Sequence, residues 1–282
     1  MKALAPLAAL LLAAPGAVPL TAPAAAAPAF VPTRFSAEVV GSGPDVILIP
    51  GLTASKEVWR GTVAAVPGYR YHLIQVAGFA GAPTRGNAEG PVIVPLEEEI
   101  ARYIRSNGLR RPAIVGHSMG GTLALMLASR HPDLVGRTMV VDMLPQPAQL
   151  LGASASGIRG LADVLQSLSG TQFGQSLIDS AVRMFGNDAP VNAKSDRDVV
   201  ARAAHELALI DLTPELPRLR APLTVVYASP DPSLAATADG IYARAYSGDP
   251  AAHRVRIDRS SHMIMADQPQ RFAEELRRFL VP

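Results

Sequence analysis

The sequence predicts an α/β protein with a mostly parallel, doubly wound sheet. Short apolar runs alternate along the chain with longer segments of helical pattern, as strands do with crossover helices. In the clearest unit, a buried-strand run at residues 112–115 is followed by a Gly/Ser turn and a helical segment that reaches about His131, before Pro132. We also expect an antiparallel hairpin over residues 35–49, with its turn at Gly41-Ser42-Gly43.

Length and composition are those of one domain of ordinary size after about residue 30. A hydrophobic content of 49% supplies a large core, and no internal repeat is evident. The formal net charge is only +2 and the arginines are scattered, so no nucleic-acid partner is expected. Glu97-Glu98-Glu99 opens a predicted helix that ends before Arg110, and we interpret the triplet as a solvated face.

Residues 1–29 have the pattern of a secretory signal peptide. Lys2 is followed by an apolar stretch of about a dozen residues and then by Ala- and Pro-rich sequence with small-residue cleavage sites. Cleavage is predicted after Ala26 or Ala29. The chain is therefore expected to be an exported bacterial protein, periplasmic or extracellular.

A retained membrane anchor is the alternative for this segment. A spanning helix needs about 20 continuous apolar residues, and Pro6 and Pro15 interrupt the stretch. The chain has no cysteine, so it has neither a lipid-attachment thiol nor a disulfide. We expect no stable membrane insertion after processing.

The segment 144–219 interrupts the alternation of strands and helices. Adjacent parallel strands do not need a connection of that length, so the segment is predicted to be a helical cap inserted between core segments 30–143 and 220–282. Its helical runs are residues 160–168, 175–185 and 196–210. Its apolar residues either line an acyl pocket or, as their helical spacing favours, pack within the cap: Leu161, Leu165, Leu168, Leu177, Val182, Met184 and Phe185.

A nucleophile is indicated where the strand at 112–115 meets the following helix. The sequence there is Gly116-His117-Ser118-Met119-Gly120, and G-x-S-x-G between a strand and a helix is typical of a strained turn that exposes a serine. Flanking glycines let the backbone crowd together at such a turn. An ordinary Gly/Ser turn is the alternative, and the strand–helix context argues against it. Ser118 is the candidate nucleophile.

A serine needs a base, and His262 is the best placed of the six histidines. It follows a strand-like run and a polar loop and precedes a helical segment, so its ring can be presented to a site. His131 ends the helix that Ser118 begins, His205 lies in a helical run, and His253 opens a strand. The predicted chain order is serine, acid, histidine.

Two aspartates compete for the acid that orients the base. Asp231 lies just beyond the strand-like run 223–227, and Asp142 closes the strand 137–141. Both positions are carboxyl ends of predicted parallel strands, where ligand crevices form. We favour Asp231, with Asp142 as the alternative acid and a purely structural Asp-Pro turn as the alternative for Asp231.

An oxyanion hole needs two backbone N–H groups aimed at the developing negative charge. Met119, the residue after the nucleophile, supplies one at the start of a helix. Leu52 is predicted to supply the other, from the Pro-Gly loop after the strand 46–49. Trp59 and Phe79 are candidate substrate contacts near these loops, although a packed core role is an equal alternative for Trp59.

The chain resembles the α/β-hydrolase fold family of serine esterases and lipases from about Val46 to the C-terminus. The resemblance rests on Ile49-Pro50-Gly51-Leu52, Gly78-Phe79-Ala80-Gly81, Gly116-His117-Ser118-Met119-Gly120-Gly121, Asp211-Leu212-Thr213-Pro214-Glu215-Leu216, Pro222-Leu223-Thr224-Val225-Val226-Tyr227, Ser261-His262-Met263 and Gln268-Pro269. It implies that Ser118, Asp231 and His262 form a triad. Two features depart from the family pattern. Phe79-Ala80 stands where many relatives have His-Gly, and before the predicted acid Ala228 stands at the usual glycine position, with Pro230 directly preceding Asp231.

The expected activity is hydrolysis of a small-molecule carboxylic ester through an acyl-enzyme. No metal and no cofactor is expected, because no ligand-spaced cluster is apparent in the sequence. A lactonase, an amide hydrolase and a carbon–carbon bond hydrolase are alternatives with the same triad. A ligand-binding protein on the same scaffold is an alternative of another class.

Overall fold

The computed structural model of the protein describes residues 30–151 and 194–281. The predicted signal peptide lies outside the described residues. So do the predicted cap helices at 160–168 and 175–185, with the apolar cap residues assigned to them.

The described residues form a seven-stranded sheet that is parallel except at one edge. Its strands are β1 (Phe35–Gly41), β2 (Asp45–Ile49), β3 (Arg70–Val76), β4 (Ala113–His117), β5 (Arg137–Val141), β6 (Leu223–Ser229) and β7 (His253–Asp258). They lie in the order β1-β3-β2-β4-β5-β6-β7, and only β1 runs antiparallel to its neighbour. The predicted mostly parallel sheet is confirmed.

The predicted hairpin over residues 35–49 is wrong, because β1 pairs with β3 rather than β2. The register joins Phe35 to Val76, while β2 lies on the other side of β3. Gly41 and Gly43 have positive φ angles of 82° and 122°, and a Cβ on either would overlap a carbonyl oxygen of the chain just before β3. The loop therefore crosses the start of β3 and carries the chain to its far side.

Helices cover both faces of the sheet. The described α-helices are α1 (Arg60–Ala65), α2 (Ile93–Ser106), α3 (Met119–Arg130), α4 (Arg197–Leu209), α5 (Ala235–Ala245), α6 (Ile264–Asp267) and α7 (Pro269–Leu280). Along β2, Ile47 and Ile49 pack with α2 and α3, whereas Val46 and Leu48 pack with α7. This alternation follows from the period of two in a strand and gives the doubly wound layers.

The glutamate triplet does not form the predicted solvated face. Helix α2 begins at Ile93, four residues earlier than expected, so the triplet lies inside the helix. Glu97 and Glu99 are buried, and only Glu98 is exposed. Both carboxylate oxygens of Glu99 accept main-chain N–H groups of the segment that leads into β1, at 2.7 Å.

Strands β5 and β6 are neighbours in the sheet although residues 142–222 separate them in the chain. Of this excursion, the structure describes the two ends, including α4, whose N-cap is Asp196. The main-chain N–H of Asp196 donates to Gly78 at 2.7 Å, which fastens α4 beside the turn after β3. Among the described residues, no helix is both long enough and apolar enough to span a bilayer.

Candidate active site

Ser118 occupies a strained turn between β4 and α3, as predicted. Its φ and ψ are 53° and −121°, and it is buried. A Cβ on Gly116 would overlap the carbonyl of Gly120, and a Cβ on Gly120 would overlap that of Ile49. Only glycine permits these approaches. The N–H of Ser118 donates to Val141 at 2.9 Å, which fixes the turn against the end of β5.

His262 and Asp142 are hydrogen-bonded to each other. The His262 Nδ1–H donates to Asp142 Oδ2 at 2.8 Å, with the two side chains 15% and 11% exposed. The ring proton is assigned to Nδ1 because the carboxylate only accepts. Asp142 directly follows β5 and has a φ of 50°, a conformation that aspartate tolerates better than most residues. Strain of this kind concentrates at functional sites.

Two further donors hold the Asp142 carboxylate. Its Oδ1 accepts the Ala228 N–H at 3.0 Å and the Tyr242 hydroxyl at 2.9 Å. Burial alone would raise the pKa of Asp142, but the hydrogen bonds from His262, Ala228 and Tyr242 outweigh burial and hold this pKa below its ordinary value. The carboxylate is therefore ionised at neutral pH.

The prediction that Asp231 hydrogen-bonds the base is wrong. Asp231 is exposed, and its Oδ1 accepts the Ser233 N–H at 2.7 Å as the N-cap of a short 3-10 turn, Pro232–Leu234. The Asp231 carboxylate thus caps the start of this short helix rather than contacting His262. Asp142, the alternative acid, takes the place beside His262 because β5 is the strand next to the one that carries Ser118.

His117 connects three parts of the site, and the sequence reasoning assigned it no role. Its Nε2–H donates to the main-chain oxygen of His262 at 2.9 Å, and the two rings lie 4.6 Å apart. Burial and the neighbouring His262 lower the pKa of His117 to about 3, so it stays neutral. A Cβ on Gly51 would lie 3.0 Å from the His117 Nδ1. The sequence signal that could have indicated this role is the position of His117 directly before the serine in the G-x-S-x-G motif.

The predicted oxyanion residues lie where the loop after β2 meets the nucleophile. A Cβ on Gly51 would lie 3.1 Å from the Ser118 Cβ, and Leu52 follows directly. Among the described residues, the N–H groups of Leu52 and Met119 find no main-chain or side-chain acceptor. Met119 opens α3, where N–H groups have no partner within the helix. Both N–H groups thus have unused donor capacity beside Ser118.

Ser195, in the excursion between β5 and β6, contacts the oxyanion loop, residues 50–53 after β2. Thr53 has a φ of 63°, an outlier for a β-branched residue. The Ser195 hydroxyl donates to the Thr53 carbonyl at 3.3 Å and accepts the Ala80 N–H at 2.8 Å. One side chain that precedes α4 therefore holds both the oxyanion loop and the turn after β3.

The two predicted substrate contacts, Trp59 and Phe79, are core residues. Trp59 is fully buried and packs on Phe272 of α7 with ring centroids 6.2 Å apart. Phe79 is also fully buried, in the cluster that contains α2 and α3. Neither side chain has an exposed surface for a substrate, so this expectation is corrected.

Comparison with known proteins identifies the family of the chain. The model of the alpha/beta hydrolase family matches residues 46–275. A pimeloyl-(acyl-carrier protein) methyl ester esterase of Aeromonas hydrophila is 29% identical over 265 residues, covering 87% of this chain and 98% of the relative. One of Vibrio vulnificus is 23% identical, covering 85% and 95%.

Solved structures show the same fold. An esterase from Thermogutta terrifontis has a TM-score of 0.68 at 21% identity, covering 87% of this chain and 92% of its own. An enol-lactonase from Burkholderia xenovorans has a TM-score of 0.68 at 18% identity, covering 88% and 96%.

A serine at a strand-to-helix elbow, beside a half-buried histidine that is hydrogen-bonded to a buried carboxylate, defines a serine hydrolase. The chain belongs to the alpha/beta hydrolase family.

Proposed function

We propose that the protein cleaves carboxylic esters through an acyl-enzyme formed on Ser118. The observation that carries the proposal is the 2.8 Å hydrogen bond from His262 to the buried, ionised Asp142 beside the elbow serine. Asp142 fixes the ring with its proton on Nδ1, which leaves Nε2 as the base. The sequence, the fold and the relatives support the proposal together.

In the proposed reaction, His262 Nε2 takes the Ser118 proton as the serine oxygen attacks the ester carbonyl. Asp142 offsets the charge of the imidazolium, and the N–H groups of Leu52 and Met119 hold the oxyanion. The imidazolium returns its proton to the departing alcohol. Water then attacks the acyl-enzyme with His262 as the base again, which releases the acid and restores Ser118.

The relatives favour a carboxylic ester over an amide or a carbon–carbon bond as the scissile group. The Aeromonas and Vibrio relatives are named as methyl ester esterases. A methyl ester needs only a small pocket for its alcohol group. Lactone hydrolysis is the second candidate, because a lactone is a cyclic ester attacked in the same way. Initial rates on methyl, ethyl and butyl esters of one acid, beside a lactone and an amide, distinguish these activities.

The assignment of the acid is tested by two aspartate variants assayed on one ester. Asp142→Asn is expected to lower kcat by about 10⁴-fold, by analogy with the equivalent change in a serine protease. The matched control Asp231→Asn is expected to stay within about twofold of wild type, because that carboxylate caps an exposed turn. A large loss in the Asp231 variant alone would refute the assignment.

The nucleophile is tested by Ser118→Ala. It is expected to abolish both ester turnover and labelling by a fluorophosphonate while leaving the circular dichroism spectrum unchanged, since it removes one oxygen. Full fluorophosphonate labelling of the variant would place the nucleophile elsewhere. An unlabelled, folded wild type would support the ligand-binding alternative.

We also propose that the chain is exported and cleaved after Ala26 or Ala29. The proposal rests on the charged start, the apolar run and the small residues before these positions. Intact-mass measurement of protein recovered from the periplasm or medium of a bacterial host is expected to give a chain that begins at Ala27 or at Phe30. Retention of Met1 would refute it.

A further inference from the structure

A buried carboxylate without a well-oriented hydrogen bond lies at the far end of α3 from Ser118. Glu97 of α2 is 0% exposed, and neither of its carboxylate oxygens has a hydrogen-bond partner among the described residues. Leaving a buried polar group without a partner is costly and needs a physical explanation.

His131 and Glu98 meet Glu97 at this point. His131 caps the C-terminus of α3, and its Nε2 lies 3.3 Å from Glu97 Oε1 and 3.5 Å from Glu98 Oε1. The Nε2 atom, like the Glu97 oxygens, lacks a well-oriented hydrogen bond among the described residues. The three side chains place one imidazole nitrogen and two carboxylate oxygens within 4.8 Å of one another.

The two distances from the His131 Nε2 atom suit a tetrahedral metal centre. Zinc bound at about 2.0–2.2 Å to nitrogen and oxygen ligands spaces them about 3.3–3.5 Å apart. We propose that Glu97, Glu98 and His131 bind a divalent transition-metal ion of the Zn²⁺ class, with water as the fourth ligand. The ion links α2 to α3.

The electrostatics of the site favour a cation. Two adjacent carboxylates repel each other when ionised, and the C-terminus of α3 adds its partial negative charge. Arg130 lies nearby, but Glu215 neutralises it through an ion pair at 3.0 Å. A divalent cation would supply the well-oriented ligation that the Glu97 oxygens lack.

Arg105 competes with the metal. Its Nη2 donates to His131 Nδ1 at 3.1 Å, so the ring proton lies on Nε2 in this arrangement. A metal on Nε2 requires the proton on Nδ1, where it would meet the guanidinium. Arg105 is exposed and has room to turn away. Removal of Arg105 should therefore strengthen metal binding.

The site is structural rather than catalytic. It lies at the opposite end of α3 from Ser118, about 18 Å along the helix axis. Its effect is to fasten two helices, and the readout is stability rather than turnover.

Zinc titration of the untagged, chelator-treated protein tests the site by calorimetry and thermal unfolding. We expect about one equivalent bound, and a rise in Tm of about 5–10 °C at a hundredfold excess over the Kd. Both effects should be lost in His131→Asn and in Glu98→Gln, which alters an exposed side chain and leaves the fold intact. Arg105→Ala should bind more tightly, and His253→Asn, an exposed histidine elsewhere, should match wild type.

Absence of saturable zinc binding in the wild type would overturn the proposal. So would zinc binding that His131→Asn and Glu98→Gln both retain, because the ion would then lie elsewhere. Weaker binding in Arg105→Ala would contradict the competition between the guanidinium and the metal.

Discussion

Replacing Tyr242 with phenylalanine tests how the acid of the site is held. The Tyr242 hydroxyl donates to Asp142 Oδ1 at 2.9 Å, and its ring stacks on Tyr227 at 4.2 Å. The stack keeps the phenylalanine ring in place, so the change removes one donor. Asp142 Oδ1 then keeps only the Ala228 N–H.

The expected loss in kcat/KM is about tenfold, which equals about 1.4 kcal/mol in transition-state free energy. That figure lies at the lower end of the contribution of a hydrogen bond to a charged group, about 1.5–3 kcal/mol, because one of the two donors remains.

Tyr246→Phe is the matched control. The Tyr246 hydroxyl is also buried beside α5, and it donates to the Met143 carbonyl at 2.7 Å rather than to Asp142. Both variants should lose about 1–3 kcal/mol of unfolding free energy. Only Tyr242→Phe should lose activity, because only its hydroxyl contacts the acid. Equal activity losses in the two variants would refute the reasoning.

Two further predictions concern buried titratable groups. His117→Ala should lower kcat about tenfold, because it removes the hydrogen bond that holds the His262 main chain. His117→Gln places a donor near the position of Nε2 and should recover most of the lost kcat. Equal losses of kcat in the two variants would contradict this. Glu97 has a pKa of about 7 in the folded chain against an ordinary 4.5, so its ionisation costs stability as pH rises through this window. Urea unfolding with chelator present should show Glu97→Gln more stable than wild type by up to about 3 kcal/mol at pH 8 and equal to it near pH 4; equal stability at pH 8 would contradict it.

The elbow could be predicted from the sequence because the residues that define it are local. A strand, a Gly-flanked serine and a helix follow one another within residues 112–131. The partner of β1 is not local. The glycines at 41 and 43 mark the turn correctly, but whether the chain folds back or crosses the next strand depends on contacts with residues 68 and 69.

The acid was misplaced because two aspartates follow neighbouring strands and spacing does not separate them. The next residue in the chain does distinguish them. Asp231 precedes proline, the pattern of an N-cap with proline at the first helical position, so its carboxylate has a local use. Asp142 has no helix start directly after it to cap. The hydrogen-bond donors to its Oδ1, Ala228 and Tyr242, lie beyond the long excursion in the chain.

The position of Asp142 places the acid of the site ahead of the long excursion in the chain. The nucleophile and the acid both lie within residues 113–142, on adjacent strands that pair before the excursion begins. Near the end of the excursion, the Ser195 hydroxyl donates to the Thr53 carbonyl and so ties the excursion to the loop after β2. A graft that exchanges residues 152–193 and keeps Ser195 would leave Ser118, Asp142 and the contact of Ser195 with the Thr53 carbonyl unchanged. Any change in activity would then come from the exchanged residues rather than from the reacting groups.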